Sequence, residues 1–204
     1  MASSPRSSAE SSYKVVILGS GRVGKTSLLL KYVRGTFSSG QISTINAQFL
    51  EKRLTHEGQT ARLHIWDTAG QEVFKAIAPI YYRKAAAALL VFDVTDAHTF
   101  AEAVAWVREL EQEKALVVLV GNKCDMGKSR GISEAEVRTR AQELGLHCYY
   151  TSAKTGAGVE DLFTAVCAGL LKRDRLQGTQ GGRPKSRKTL RIEEKRTKSE
   201  GNCC

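Results

Sequence analysis

The chain has 204 residues, 42% of them apolar, and a net charge of +10, which suits one domain of about 170 residues with tails. The longest apolar run, Ala85 to Phe92, covers eight residues, far short of the roughly 20 that a spanning helix needs. Charge is uneven: the 33 residues from Lys172 hold eleven Lys or Arg against four Asp or Glu, a net +7, and the rest carry +3. Such a basic end suits nucleic acid, a membrane surface or mere solvation.

Residues 1–12 are Ser-rich and read as a disordered extension. They hold no apolar stretch for a secretory signal, and Ala2 rather than Gly follows Met1, which excludes myristoylation. From Tyr13 to about Arg175, strand-like and helix-like stretches alternate. Val15–Leu18 reads as a buried strand and Lys25–Val33 as a helix. Ala47–Thr55 and Ala61–Trp66 flank His56-Glu-Gly-Gln59 as a hairpin. Ala86–Phe92 and Val117–Val120 are apolar throughout, as central strands covered on both faces are. Phe100, Val104, Val107 and Leu110 form one helical stripe. Ser133-Glu-Ala-Glu136 fits a capping box for a helix ending near Gly145. Val159, Leu162, Phe163, Val166, Cys167, Leu170 and Leu171 recur with helical period and predict an amphipathic helix. The alternation predicts an α/β fold of three layers, a mostly parallel sheet with helices on both faces. Ligands then sit at the carboxyl ends of the strands.

Gly19-Ser20-Gly21-Arg22-Val23-Gly24-Lys25-Thr26 matches the phosphate-loop pattern, after a strand and opening a helix, with Ser27 next. Glycines let backbone N–H groups turn inward, and the helix N-terminus adds about half a positive charge. Lys25 can reach the outer phosphates, and the Thr26 hydroxyl can ligate Mg²⁺. The arrangement asks for a nucleotide polyphosphate. Val117-Val-Leu-Val-Gly-Asn122-Lys123-Cys-Asp125 brings polar residues to the end of another strand. A carboxylate at Asp125 can accept from guanine N1–H and its exocyclic amine together, an edge adenine lacks. Lys123 can lie over the base or ribose. Ser152-Ala153-Lys154 ends a later strand, where the Ala153 N–H can donate to guanine O6. Asp67 closes the strand Leu63-His-Ile-Trp-Asp67 and suits Mg²⁺ held through water. Gly70 can bring its N–H to the γ-phosphate, Gln71 can orient the attacking water, and Thr44 can reach both Mg²⁺ and the γ-phosphate. Phe37 can pack edge-on to the guanine.

These motifs stand in the order and spacing of the Ras-like small GTPases, and residues 13 to about 172 resemble that family. Trp66-Asp67, Tyr81-Tyr82-Arg83 and the terminal Cys203-Cys204 resemble its Rab branch. Ser43-Thr-Ile-Asn-Ala-Gln-Phe-Leu50 with Ala78-Pro-Ile-Tyr-Tyr-Arg83 is similar to the early-endosomal Rabs. The resemblance implies a six-stranded sheet with one antiparallel strand in a G domain spanning 13–175. It implies Mg²⁺ and bound GTP or GDP, and switch segments near 36–48 and 68–83 that order with the γ-phosphate. Hydrolysis is slow alone and accelerated by an activating protein, which brings the arginine in trans. Implied partners are an exchange factor, that activating protein, a GDP-dissociation inhibitor or escort protein, and effectors that contact Phe49, Trp66 and Tyr81. Those three aromatics also read as ordinary core residues, and both readings can hold together.

Rabs commonly have Arg where Val73 stands, and many have Gly-Val-Asp where Asn46-Ala47-Gln48 stands; both departures fall on surface that partners read. Residues 176–204 read as a basic tether. Cys203 and Cys204 match a doubly geranylgeranylated pair, and two lipid chains anchor where one is marginal. The implied place is the cytosol and the cytoplasmic face of intracellular membranes, the early endosome foremost, with no nucleic-acid partner. The competing readings are a guanine-nucleotide scaffold that does not cycle, and a nucleic-acid-binding phosphate-loop protein that uses the tail. His56, His64, His98 and His147 lack ligand spacing. Cys124 and Cys148 read as packing residues, and five scattered cysteines suit a reducing compartment.

Overall fold

A strand apolar up to its last residue needs cover on both faces, and Ala87–Asp93 receives it: all seven residues are buried. The computed structural model describes residues 10–44, 47–68 and 77–180, the last three of these as backbone only. In chain order the elements are β1 (Ser11–Leu18), α1 (Lys25–Arg34), β2 (Gln48–His56), β3 (Gln59–Asp67), α2 (Ala78–Tyr82), β4 (Ala87–Asp93), α3 (Ala97–Leu110), β5 (Leu116–Asn122), α4 (Glu134–Glu143), β6 (His147–Tyr150) and α5 (Val159–Gln180). The sheet runs β2-β3-β1-β4-β5-β6. Only β2 is antiparallel, paired with β3 through the Glu57-Gly58 turn. The expected six strands with one antiparallel are therefore found.

Period-two alternation splits β4 between two cores. Ala87, Leu89 and Val91 join α1 and α5 on one face. Ala88, Leu90 and Phe92 join α2, α3 and α4 on the other. The predicted α5 stripe is buried at all seven positions, and each large apolar side chain contributes about 1.5–3 kcal/mol. Phe163 of that stripe stacks flat on Tyr32 of α1, centroids 3.7 Å apart. This fixes the phosphate-loop helix to α5. On the other face the capping box at Ser133 forms in both directions, side chain to Glu136 N–H and Glu136 back to Ser133 N–H.

Two boundaries differ from expectation. Residues 11 and 12 belong to β1, paired with Ala61 and Arg62. Glu10 forms ion pairs with Arg53 at 2.6 Å and Arg62 at 2.9 Å. Backbone pairing to β3 and these charges, not side-chain hydrophobicity, recruit the Ser-rich segment. At the other end α5 continues to Gln180, past the expected tail boundary at 176. Its last turns gain partners: Tyr13 donates to Asp174 at 2.6 Å, Arg173 to the Lys114 carbonyl, and Arg175 to Gln59 and Glu57.

Because β1, β3, β4, β5 and β6 run parallel, their carboxyl ends share one edge. Asp67 lies beside Ile17 and Asp93 beside Asn122 in register. That edge is where the site forms.

Candidate functional site

The loop after β1 turns sharply before α1. Gly19 has φ +139°, and a Cβ there would collide with the Val91 carbonyl oxygen; Gly24 has φ +93°, and a Cβ would sit 2.5 Å from Asn122 Nδ2. Side chains are thus excluded by strand β4 and by Asn122, and the backbone itself lines the turn. Gly24 caps α1 without a side-chain hydrogen bond, so the first-turn N–H groups remain open to an anion.

Lys25 is only 5% exposed. Its Nζ donates to the Gly19 and Ser20 carbonyls, both at 2.7 Å. Burial pushes it down to about 8, with the Asp67 charge opposing. Ser20 Oγ donates to Glu102 Oε2, which ties the loop to α3.

Beside Lys25, Thr26 Oγ1 donates to Asp67 Oδ2 at 2.5 Å and lies 2.5 Å from Thr44 Oγ1. Asp67 is fully buried, and among the described residues its Oδ1 has no hydrogen-bond partner. Burial raises this carboxyl above its ordinary range, and the Thr26 hydroxyl, Lys25 and Thr44 only partly counter it. An unpaired buried carboxylate oxygen among hydroxyls is a set of hard donors that fits Mg²⁺. The three residues expected to hold the metal are therefore together.

At the far end Asn122, 1% exposed, acts as a clamp. Its Nδ2 donates to the Val23 carbonyl at 2.9 Å, and its Oδ1 accepts from Ala153 N–H and Thr151 Oγ1, both at 3.2 Å. One side chain thus links the phosphate loop to the loop after β6. The Ala153 N–H expected to meet a base donates instead to Asn122. Asp125 is exposed, and Ser152 Oγ donates to its Oδ1 at 2.6 Å. The Lys123 head reaches Asp93 Oδ2 at 2.5 Å. Burial alone would raise Asp93, but Lys123 and Thr95 outweigh it and hold the carboxyl below its ordinary range.

Both ends open on one cleft of about 290 Å³. It is lined by Gly21, Arg22, Gly24, Lys25, Thr26, Ser27, Phe37, Thr44, Asn122, Lys123, Asp125, Ala153 and Lys154. Phe37 is 41% exposed at its rim. Gly19, Ser20, Val23 and Ser152 do not line the cleft; they act through Lys25, Asn122 and Asp125. Gly70, Gln71, Asn46, Val73, Cys203 and Cys204 lie outside the described residues.

Sequence reasoning missed Asp93, Thr151 and Glu102, along with Ser38, Ser39, Gln41, Ile42 and Met126 in the cleft wall. Asp93 was findable, since it closes an apolar strand, as Asn122 closes β5. Glu102 gave no signal, because only the packing of α3 brings it to Ser20.

Away from the cleft, Phe49 pairs with Trp66 across the hairpin, centroids 5.3 Å apart, and Trp66 lies 6.1 Å from Tyr81. Phe49 is 45% exposed, while Trp66 and Tyr81 are half-buried against the second core. They are a surface row and core packing at once. Burial pushes the Cys148 thiol up to about 11 and raises Cys124 as well, which suits packing rather than attack. Among the described residues no group of His, Cys, Asp and Glu has metal-holding geometry, and no helix is long and apolar enough to cross a membrane.

Comparison with known proteins gives a consistent picture. A family model described as the Ras family matches residues 14–172. The Ras-related protein Rab-21 of Mus musculus is 40% identical over 203 residues, covering 95% of this chain and 91% of the relative. The Ras-related protein Rab5A of Oryza sativa subsp. japonica is 40% identical over 194 residues, 94% of each chain. Rab-21 of Geodia cydonium is 43% identical over 162 residues, 78% of this chain and 71% of the relative.

Proposed function

Because the chain belongs to the Ras family, as a Rab-type small GTPase of the early-endosomal group, we propose that it is a GTP-binding, GTP-hydrolysing switch in vesicle traffic. One observation carries this reading: a single cleft has an anion cradle at one end and the Asp125 carboxylate at the other, joined by Asn122.

In this reading Gly21 to Ser27 hold the β- and γ-phosphates through backbone N–H groups, and Lys25 adds its charge. Thr26, Thr44 and Asp67 hold Mg²⁺, which when bound neutralises charge developing on the phosphates. Asp125, kept in place by Ser152, selects guanine, and the Lys123 stem covers the ring. Gly70 donates to the γ-phosphate, and Gln71 orients the water that attacks it. Catalysis is then positioning plus electrostatics. The missing arginine comes from an activating protein.

Residues 36–48 and 68–83 are the switch segments, ordered by the γ-phosphate and metal. Phe49, Trp66 and Tyr81 are the surface that effectors read. An exchange factor and a GDP-dissociation inhibitor or escort protein complete the cycle. Geranylgeranyl groups on Cys203 and Cys204, with the basic tail from 176, hold the chain on the cytoplasmic face of endosomal membrane.

The test is direct. Mass spectrometry of the nucleotide retained on purified chain should find GDP or GTP, and the C-terminal peptide read in the same run should carry two prenyl groups when made in eukaryotic cells. Single-turnover hydrolysis should slow by at least tenfold in Gln71→Leu. Equal rates would favour the alternative, a guanine-nucleotide scaffold that does not cycle.

A further inference from the structure

Two lysines border the cleft at its base end, Lys123 and Lys154. Lys154 is exposed and, among the described residues, makes no hydrogen bond or ion pair. Lys123 is different. Its ammonium turns to Asp93 Oδ2 at 2.5 Å, although 33% of the side chain is open to solvent. An ammonium on a four-carbon stem ordinarily stays in water and keeps its rotamer freedom.

Asp93 is arranged to hold that head. It closes β4, in register beside Asn122, and its side chain is only 11% exposed. Its Oδ1 accepts from the Thr95 N–H at 2.9 Å and from the Thr95 hydroxyl at 2.7 Å. The Asp93 N–H donates to Thr99 Oγ1 at 3.0 Å. Carboxylate and backbone are thus oriented by Thr95, just ahead of α3, and by Thr99 in its first turn, which leaves Oδ2 for Lys123. Asp93 does not line the cleft, so its effect on a ligand passes through Lys123.

We propose that Asp93 is a positioning residue for nucleotide binding: by holding the Lys123 ammonium, it lays the lysine stem along the cleft wall before the base arrives. The stem's rotamer freedom is then lost in folding rather than on binding, which raises affinity without a new contact. Thr95, outside the cleft, takes part through its hydroxyl. This rests on the guanine-nucleotide reading above.

The experiment measures the affinity of the full-length chain with Mg²⁺ for GMP, GDP and GTP, by competition against a fluorescent GDP. Asp93→Asn keeps the shape and an acceptor for Thr95 but removes the charge that holds the ammonium. It should weaken all three nucleotides by one shared factor, roughly five- to tenfold. Lys123→Met, which keeps an unbranched apolar stem, should weaken them too. In the Lys123→Met chain, adding Asp93→Asn should cost less than about twofold, because the group it acts through is gone. A carboxylate that served only the turn into α3 would cost its full factor again. Thr95→Val leaves the Asp93 charge and the backbone hydrogen bond in place. It should weaken binding about twofold in the wild-type chain and leave the Lys123→Met chain unchanged, which decides the matter even where Asp93→Asn fails to fold. Additive losses in either cycle, or wild-type affinity in Asp93→Asn, would overturn the assignment alone. A wild-type chain that holds no guanine nucleotide would overturn the reading beneath it as well.

Discussion

The two ends of the cleft are built by different means. The phosphate end is one contiguous stretch, Gly19 to Thr26, whose active groups are backbone N–H groups and whose lysine is tied to its own loop. The base end is assembled from the ends of β4, β5 and β6, with Asp93, Asn122, Asp125 and Ser152 each placed by another residue. In the function proposed above, the first would recognise charge whatever the base, and the second a hydrogen-bonding edge whatever the phosphates. Affinity and selectivity can therefore be broken separately, except at Asn122, which holds both ends together.

The sharpest break is Asp125→Asn. An amide in place of the carboxylate offers a donor where guanine already donates. Preference should move to xanthine nucleotide, with GTP losing about 10³-fold or more relative to XTP in competition. Phosphate-end behaviour, such as the ratio of GDP to GMP affinity, should stay as in wild type. Unchanged selectivity for GTP would refute the Asp125 assignment.

Next is Asn122→Ala, which should blur the comparison itself. It leaves the Val23 carbonyl, the Ala153 N–H and the Thr151 hydroxyl without their partner in a buried place. Each orphaned group costs about 1–3 kcal/mol before relaxation. Thermal unfolding should fall by several degrees, and affinity should drop for GMP and GDP alike. A loss confined to one end would contradict the clamp.

The mildest is Ser152→Ala. It removes the hydrogen bond to Asp125 and the one that Ser152 Oγ accepts from the Thr155 N–H at 3.1 Å, and leaves the carboxylate charge in place. A cost of about 1 kcal/mol, or roughly fivefold in guanine affinity, is expected, with the unfolding temperature lowered by less than in Asn122→Ala. Titration of GDP binding by calorimetry resolves a change of this size.

How much was legible follows from the same contrast. The phosphate-loop pattern could be read because it lies in eight consecutive residues bounded by a strand and a helix. The α5 stripe and the β4 run could be read because burial leaves a periodic mark on sequence. Asp67 and Asn122 were visible as polar residues at strand ends, Asn122 after an apolar run and Asp67 after an alternating one. The N-terminal boundary was misjudged at Ser11 and Ser12, where pairing to β3 overrides composition. The reach of α5 to Gln180 was missed because residues 176–180, Leu-Gln-Gly-Thr-Gln, carry no apolar period to mark a helix.

By itself the sequence determined the α/β class, the six strands, the anion cradle and the residue types of the base end, because these depend on local pattern and on order along the chain. The tertiary structure alone decided that Thr26, Thr44 and Asp67 meet around one buried unpaired oxygen. It also decided that Lys123 answers to Asp93, that Glu102 steadies Ser20, and that Asn122 spans both halves of the cleft. These are contacts between residues 18 to 99 positions apart, and such contacts follow from the sheet's strand order and register, which no short window of sequence contains.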